Sequence, residues 1–325
     1  YRARAVQIHR KFACKIVDTR RYKRKEFEEE LLRRFRLEVE AMSRLRNPHV
    51  VAIYEAMQLT DGVFALLMDY VEGRTLQDLL DRVGRIKMDR ALDIIRQVAN
   101  GVYEAHRVGF IHRDLKPDNI MIERLPASGF FARILDFGIV HVMGGVDATQ
   151  GFRGTPLYAS PEQCMGDPGI DNRSDIYSLG CVFFHCITGQ PPFPGTESLR
   201  VMDAHVNEEP PKIRDVLTTS HIPPGLEELM AAMLSKEPGD RPRDLSEVIG
   251  QIDEIIKTYE QPRQRSRTNP GRPPTAAGRT IGQGRPEFTA RSRLATGDFP
   301  TMSGPKKRAG TDTAGKSQVV SPLLE

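Results

Sequence analysis

The chain has 325 residues, 39% hydrophobic and 28% charged, which suits a globular body carrying extra solvated chain. Four cysteines exclude a disulfide-dense secreted scaffold, and no apolar run reaches the roughly 18–20 residues of a membrane helix. The net charge of +4 conceals an imbalance. From Gln261 to the end there are 12 basic and 4 acidic residues, whereas residues 1–260 hold 35 and 39. A basic tail is therefore joined to a mildly acidic body.

In chain order, the opening Tyr1-Arg-Ala-Arg4 contains no apolar core of a signal peptide and no initiator methionine. Lys11–Val17 is a short apolar strand with Lys15 embedded in it. Glu26–Leu45 is a helix, with Leu31, Phe35, Val39 and Met42 at helical spacing, and Asn47-Pro48 ends it. Strands are expected over Val50–Ala56 and Val63–Val71. From Thr75 the pattern turns helical: Ala91, Ile95, Val98, Val102 and Ala105 mark one apolar face. Further helices are expected over Asp175–Ile187, Leu226–Leu234 and Leu245–Ile256. The longest apolar run, Leu179–Ile187, is short and carries His185. A small sheet-rich part followed by a larger helical part predicts an α+β fold of two lobes with a cleft between them.

The last 65 residues contain 8 Pro, 8 Gly and 13 Ser or Thr, with no periodic apolar residues. Such a segment buries too little apolar area to offset its ordering entropy and is read as disordered. Its charge suits a solvated linker or juxtamembrane segment, and specific nucleic-acid binding is not expected. Cys14, Cys164, Cys181 and Cys186 lack paired metal-ligand spacing, which favours packing roles in a reducing, cytoplasmic compartment.

The chemistry concentrates in Ile111-His-Arg-Asp114-Leu-Lys116-Pro-Asp-Asn119-Ile120. A carboxylate can accept a hydroxyl proton, an ammonium can neutralise a phosphoryl oxygen, and an amide oxygen can bind a hard cation. Leu135-Asp136-Phe-Gly138 places a second carboxylate at the end of an apolar strand, so Asn119 and Asp136 could share a Mg²⁺. A lone aspartate after a strand is ordinarily a turn residue. The ordered set is more informative than any member.

Taken in order, these motifs resemble the eukaryotic-type serine/threonine protein kinase family, over about residues 1–257. The resemblance implies a bilobal kinase fold with a small lobe at 1–71, a large lobe at 72–257, and a disordered basic tail at 258–325. It implies ATP and Mg²⁺ as cofactors and serine or threonine residues of proteins as acceptors. Lys15 would anchor phosphates and pair with Glu38. Asp114 would orient and deprotonate the acceptor hydroxyl, Lys116 would steady the transferring group, and Asn119 and Asp136 would hold Mg²⁺. Ser160-Pro-Glu162 resembles the family's Ala-Pro-Glu, and Glu162 would pair with Arg241; Asp175 would support the catalytic-loop backbone.

The same resemblance puts Met68 behind the adenine, with backbone groups of Asp69 and Val71 along its edge. Ala13, Met121 and Leu135 would sandwich the ring or simply belong to the core. Lys116 and Gly154-Thr155-Pro-Leu-Tyr158 are similar to the serine/threonine branch, with Thr155 a structural residue near Asp114. Tyr158-Ala-Ser-Pro-Glu-Gln163 resembles bacterial members. Thr149 is either a loop threonine or a phosphosite that Arg113 would receive, with self-association for autophosphorylation.

One departure stands out: no G-x-G-x-x-G precedes Lys15, and the family's first strand is missing. The expectation is a fragment of a longer protein, weakly active for want of that loop; the parent could be membrane-anchored. A catalytically impaired kinase-like scaffold is the alternative, and Lys15, Glu38, Asp114, Asn119 and Asp136 argue against it.

Overall fold

The computed structural model describes residues 1–4, 10–18, 39–40, 42–125, 129–135, 156–217 and 222–265. The first part is an antiparallel sheet of β1 (Arg2–Arg4), β2 (Lys11–Asp18), β3 (Ile53–Thr60) and β4 (Val63–Asp69), in the order β1-β2-β4-β3. Its centre is β4, where Phe64, Ala65, Leu66 and Met68 are buried. The edge strand β3 buries only Ile53 fully and leaves Tyr54, Met57 and Leu59 exposed. Gly62, at φ 69°, makes the turn between β3 and β4 in a conformation that suits glycine.

The strand expected at Val50–Ala56 begins three residues later. Val50 and Val51 are apolar for another reason: both are buried, and they cross to the second part of the molecule. The Val51 N–H donates to Ile134 O at 3.0 Å, and the Ile134 N–H donates to His49 O at 2.8 Å. Of the helix expected at Glu26–Leu45, Val39, Glu40, Met42 and Ser43 are helical, and residues 26–38 lie outside the described residues.

The second part opens with β5 (Arg74–Thr75), which pairs with a hairpin of β6 (Ile120–Leu125) and β7 (Gly129–Ile134). Thr75 also caps α1 (Leu76–Val83) through a reciprocal capping box with Asp78. Next, α2 (Met88–Arg107) buries the whole Ala91-Ile95-Val98-Val102-Ala105 face. There follow α3 (Pro161–Met165), α4 (Asn172–Thr188), α5 (Ser198–Asn207), α6 (Ile213–Val216), α7 (Leu226–Met233) and α8 (Leu245–Arg265).

Every residue of α4 from Ser174 to Ile187 is buried, so this helix is apolar on all sides because it runs through the core. His185 fits there because its Nδ1 meets the Tyr158 hydroxyl at 2.7 Å. Among the described residues, no helix is long and apolar enough to cross a membrane. From residue 266 the tail lies outside the described residues.

Candidate active site

The loop after α2 carries the reactive side chains, and the start of α4 holds it in place. Asp175, in the first turn of α4, is fully buried. It accepts the His112 N–H at 2.7 Å, the Arg113 N–H at 2.9 Å and His106 Nε2 at 2.7 Å. Burial alone would raise this carboxyl, but the His106 hydrogen bond and the neighbouring donors outweigh it and hold it below the usual range. Arg113 has φ 62°, the positive value among the described non-glycine residues. Such a conformation persists only where surrounding bonds impose it.

His112 is buried and faces two ways. Its Nε2 lies 3.0 Å from Leu135 O, an acceptor, so that nitrogen donates; its Nδ1 accepts the Asp114 N–H at 3.3 Å. The Leu135 N–H in turn donates to Asn119 O at 2.8 Å. The residue preceding Asp136 is thus laced to both ends of the catalytic segment.

Two side chains converge on the Asp114 carboxylate. Lys116 Nζ donates to its two oxygens at 2.9 and 2.8 Å. Asn119 Nδ2 donates to Asp114 Oδ2 at 2.9 Å and to Asp114 O at 2.7 Å. With its amide nitrogen committed, Asn119 offers its carbonyl oxygen as the group suited to a hard cation. The 3₁₀ turn Pro117–Asn119 sets this geometry, because it brings Asn119 back beneath Asp114. A proton acceptor, a cation and an oxygen ligand therefore share one third-exposed patch; the Asp114 side chain is 35% exposed.

Deeper in the same region, Arg241 and Glu162 form a bidentate ion pair at 2.7 and 2.9 Å. Arg241 also donates to the carbonyls of Ser235 at 2.8 Å, Arg173 at 3.1 Å and Lys236 at 2.7 Å. All five of its N–H groups are thereby satisfied, which burial of a guanidinium requires. Burial pushes the Glu162 carboxyl up, but Arg241 and the Ser174 hydroxyl override it, and the net direction is down.

Along the strand that ends the small sheet, Ala13 lies opposite Met68 and Lys15 opposite Leu66. Met68 and Val71 are buried; Ala13, Met121 and Leu135 are partly buried against the same core. The Asp69 N–H donates to Ala52 O at 3.0 Å, so its carbonyl is the backbone group left to consider. Its side chain does something the sequence did not suggest. It accepts from Arg10 at 2.8 Å and from the Tyr54 hydroxyl at 2.7 Å, and stands 3.7 Å from Arg133 on β7.

A family model described as protein kinase domain matches residues 1–252. The chain belongs to the protein kinase family. Among its curated relatives is the serine/threonine-protein kinase pkn3 of Myxococcus xanthus, 35% identical over 236 residues, 71% of this chain and 43% of that protein. PknA of Corynebacterium glutamicum is 37% identical over 226 residues, 68% of this chain and 46% of the relative. PknL of Mycobacterium tuberculosis is 33% identical over 265 residues, 81% and 63% respectively. The chain thus spans from about two fifths to about three fifths of the length of these relatives. The bacterial, serine/threonine-type resemblance seen in the motifs accords with these matches.

Within this kinase domain the structure brings together Asp114, Lys116 and Asn119, Arg113 with Asp175, and Glu162 with Arg241. Glu38, Asp136, Thr149 and Thr155 lie outside the described residues. His106, His112 and Gln163 were not singled out as site residues. Their partners are distant in sequence or are backbone carbonyls, and neither leaves a local pattern. Among the described residues no cluster of three or more His, Cys, Asp or Glu could hold a metal ion.

Proposed function

We propose that the protein transfers the γ-phosphoryl group of ATP to serine or threonine hydroxyls of protein substrates. One observation carries this reading: in a chain of the protein kinase family, Lys116 and Asn119 converge on the single carboxylate of Asp114. The Asp114 carboxylate takes the proton of the acceptor hydroxyl and aligns its oxygen for in-line attack. Lys116, already beside that carboxylate, moves its charge onto the transferring group as negative charge gathers there. Lys15 on β2 would orient the phosphates from the small sheet, with Glu38 as its expected ion-pair partner.

Asn119, through its carbonyl oxygen, and Asp136 would hold Mg²⁺. When bound, the ion screens the phosphate oxygens and favours departure of the diphosphate. The Asp69 carbonyl and Val71 backbone groups read the adenine edge; Met68 closes the pocket behind it, and Ala13, Met121 and Leu135 line its faces. Asp175, Glu162 and Arg241 act by holding the loop, since positioning supplies much of the rate in phosphoryl transfer. Residues 1–257 form the catalytic domain in this reading, with 258–325 a solvated tail. ATP as the phosphoryl source and the free cysteines favour a cytoplasmic site of action. Thr149 is a candidate for autophosphorylation in a self-associated pair, with the exposed Arg113 to receive the phosphate.

The test is transfer from labelled ATP to a protein acceptor by the full chain in Mg²⁺, beside Asp114→Asn and Asp136→Asn. Each substitution is expected to lower kcat by about 1,000-fold or more, with phosphoserine or phosphothreonine as the wild-type product. Unchanged turnover in either variant refutes the assignment.

A further inference from the structure

We propose that Gln163 is a positioning residue for Asp114, tying the helix start at Ser160 to the backbone on which Asp114 is carried. The proposal rests on the kinase reading above. Its observations are independent of that reading. Gln163 closes the capping box of α3: its Oε1 accepts the Ser160 N–H at 3.0 Å, while its own N–H donates to Ser160 Oγ at 3.3 Å. For that purpose glutamate serves as well as glutamine, and its charge suits a helix N-terminus better. What glutamine adds is a donor. Its Nε2 donates to Arg113 O at 2.6 Å, fifty residues away in sequence.

The carbonyl it holds is not an arbitrary one. Arg113 O and the Asp114 N–H belong to the same planar peptide unit, so fixing one end orients the other. Gln163 holds the carbonyl end, and His112 Nδ1 accepts the amide end at 3.3 Å. The preceding peptide is held by Asp175, which accepts the Arg113 N–H at 2.9 Å. Arg113, at φ 62°, is thereby fixed on both sides. A left-handed arginine is strained and would relax if one side were freed. Relaxation there rotates the peptide plane that delivers the Asp114 carboxylate. Gln163 thus makes the geometry of the proton acceptor conditional on the Ser160–Met165 helix start being formed.

The experiment uses the full chain and three measurements: steady-state kinetics with ATP, Mg²⁺ and a protein acceptor, thermal unfolding, and amide exchange at residues 112–115. Gln163→Glu keeps the cap acceptor, removes the donor and adds a charge that suits the helix N-terminus. We expect it to unfold within about 2 °C of wild type. Its kcat should fall by about 10- to 100-fold with the KM for ATP within about twofold, and the 112–115 amides should exchange faster. Gln163→Met removes both functions, so it should show the same kcat loss together with a lower melting point. If Gln163 were only a cap, Gln163→Glu would match wild type in turnover and exchange. Either wild-type turnover or wild-type exchange in that variant overturns the proposal. Should the wild-type chain transfer no phosphate, the kinase reading fails, and exchange at 112–115 alone decides: acceleration in Gln163→Glu supports the tie, and no change refutes it.

Discussion

Asp175 keeps a carboxylate wholly out of water, which is tolerable because three donors point at it from one loop and one helix. Asp175→Asn would preserve the volume but present an NH₂ group to a site lined by donors, leaving at least one without an acceptor. We expect unfolding free energy to fall by roughly 3 kcal/mol and kcat by at least about tenfold. Urea titration followed by circular dichroism is the suitable check, since the chain has no tryptophan to report by fluorescence. At this scale the decapeptide from Ile111 to Ile120 was legible because its chemistry is local: a 3₁₀ turn is enough to fold Asn119 onto Asp114. The partners of that decapeptide were not. His106 meets Asp175 across 69 residues, and Gln163 meets Arg113 across 50. Asp175, Glu162 and Arg241 came only from the family resemblance, because nothing in their spacing links them.

The helices divide by how much water they touch. In α2 one face is buried and the other wet, so its period was plain from Ala91 to Ala105. Burial on every side removes that contrast from α4, yet its apolar run still marked Asp175–Ile187, all but the ends of the helix. Of the β6–β7 hairpin only the apolar strand before Asp136 was legible; β6 was not, since Ile120–Ile122 looked like a flank of the catalytic segment. Where α8 continues to Arg265, the added residues Lys257–Arg265 carry no apolar stripe to mark them.

Gly101 shows how closely these elements approach. A Cβ there would stand 2.7 Å from Ile134 Cδ1 and 3.1 Å from His49 O. Alanine ordinarily strengthens a helix interior by about 1 kcal/mol over glycine. Here we expect Gly101→Ala to destabilise by about 1–2 kcal/mol instead, because α2 would be pushed off β7 and the His49 turn. In the Ile134→Val background, which lacks the nearest methyl, the same change should cost less; a double-mutant cycle by urea unfolding measures the difference.

For the molecule as a whole, the buried histidines and carboxylates point one way in pH. His205 is pushed down to about 4 by burial and the nearby Lys236 charge; burial also lowers His49 and His185. A histidine lowered in the folded state binds its proton more readily when unfolded. Stability is therefore lost as pH falls below the ordinary 6.5, and for His205 the loss continues to about 4. Glu162 and Asp175 are also lowered, so their contribution is present above the ordinary carboxylate range and disappears once acid protonates them in the folded state. We expect the melting point to be flat between about pH 7 and pH 8 and to fall steadily below that range. His205 alone would account for on the order of 3 kcal/mol between pH 6.5 and 4. Calorimetry of His205→Phe should show a shallower descent than wild type. The division into a sheet part and a helical part was legible from the apolar pattern along the chain; this acid sensitivity was not, because it depends on which histidines the fold encloses.

Asp69 connects those two parts in a manner that bears on how the pocket can be probed. Its carboxylate gathers Arg10 and Tyr54 from the small sheet and stands beside Arg133 from the hairpin, while its backbone is the group proposed above to read adenine. Under that proposal one residue serves two separable purposes, a rivet between sheets and a rung for a ligand. Any replacement at position 69 mixes a change in stiffness with a change in recognition, and a weakened affinity there has no unique cause. Arg133 and Arg10 share only the first purpose. Comparing variants at those two positions separates how firmly the halves are joined from how well the pocket discriminates among nucleotides.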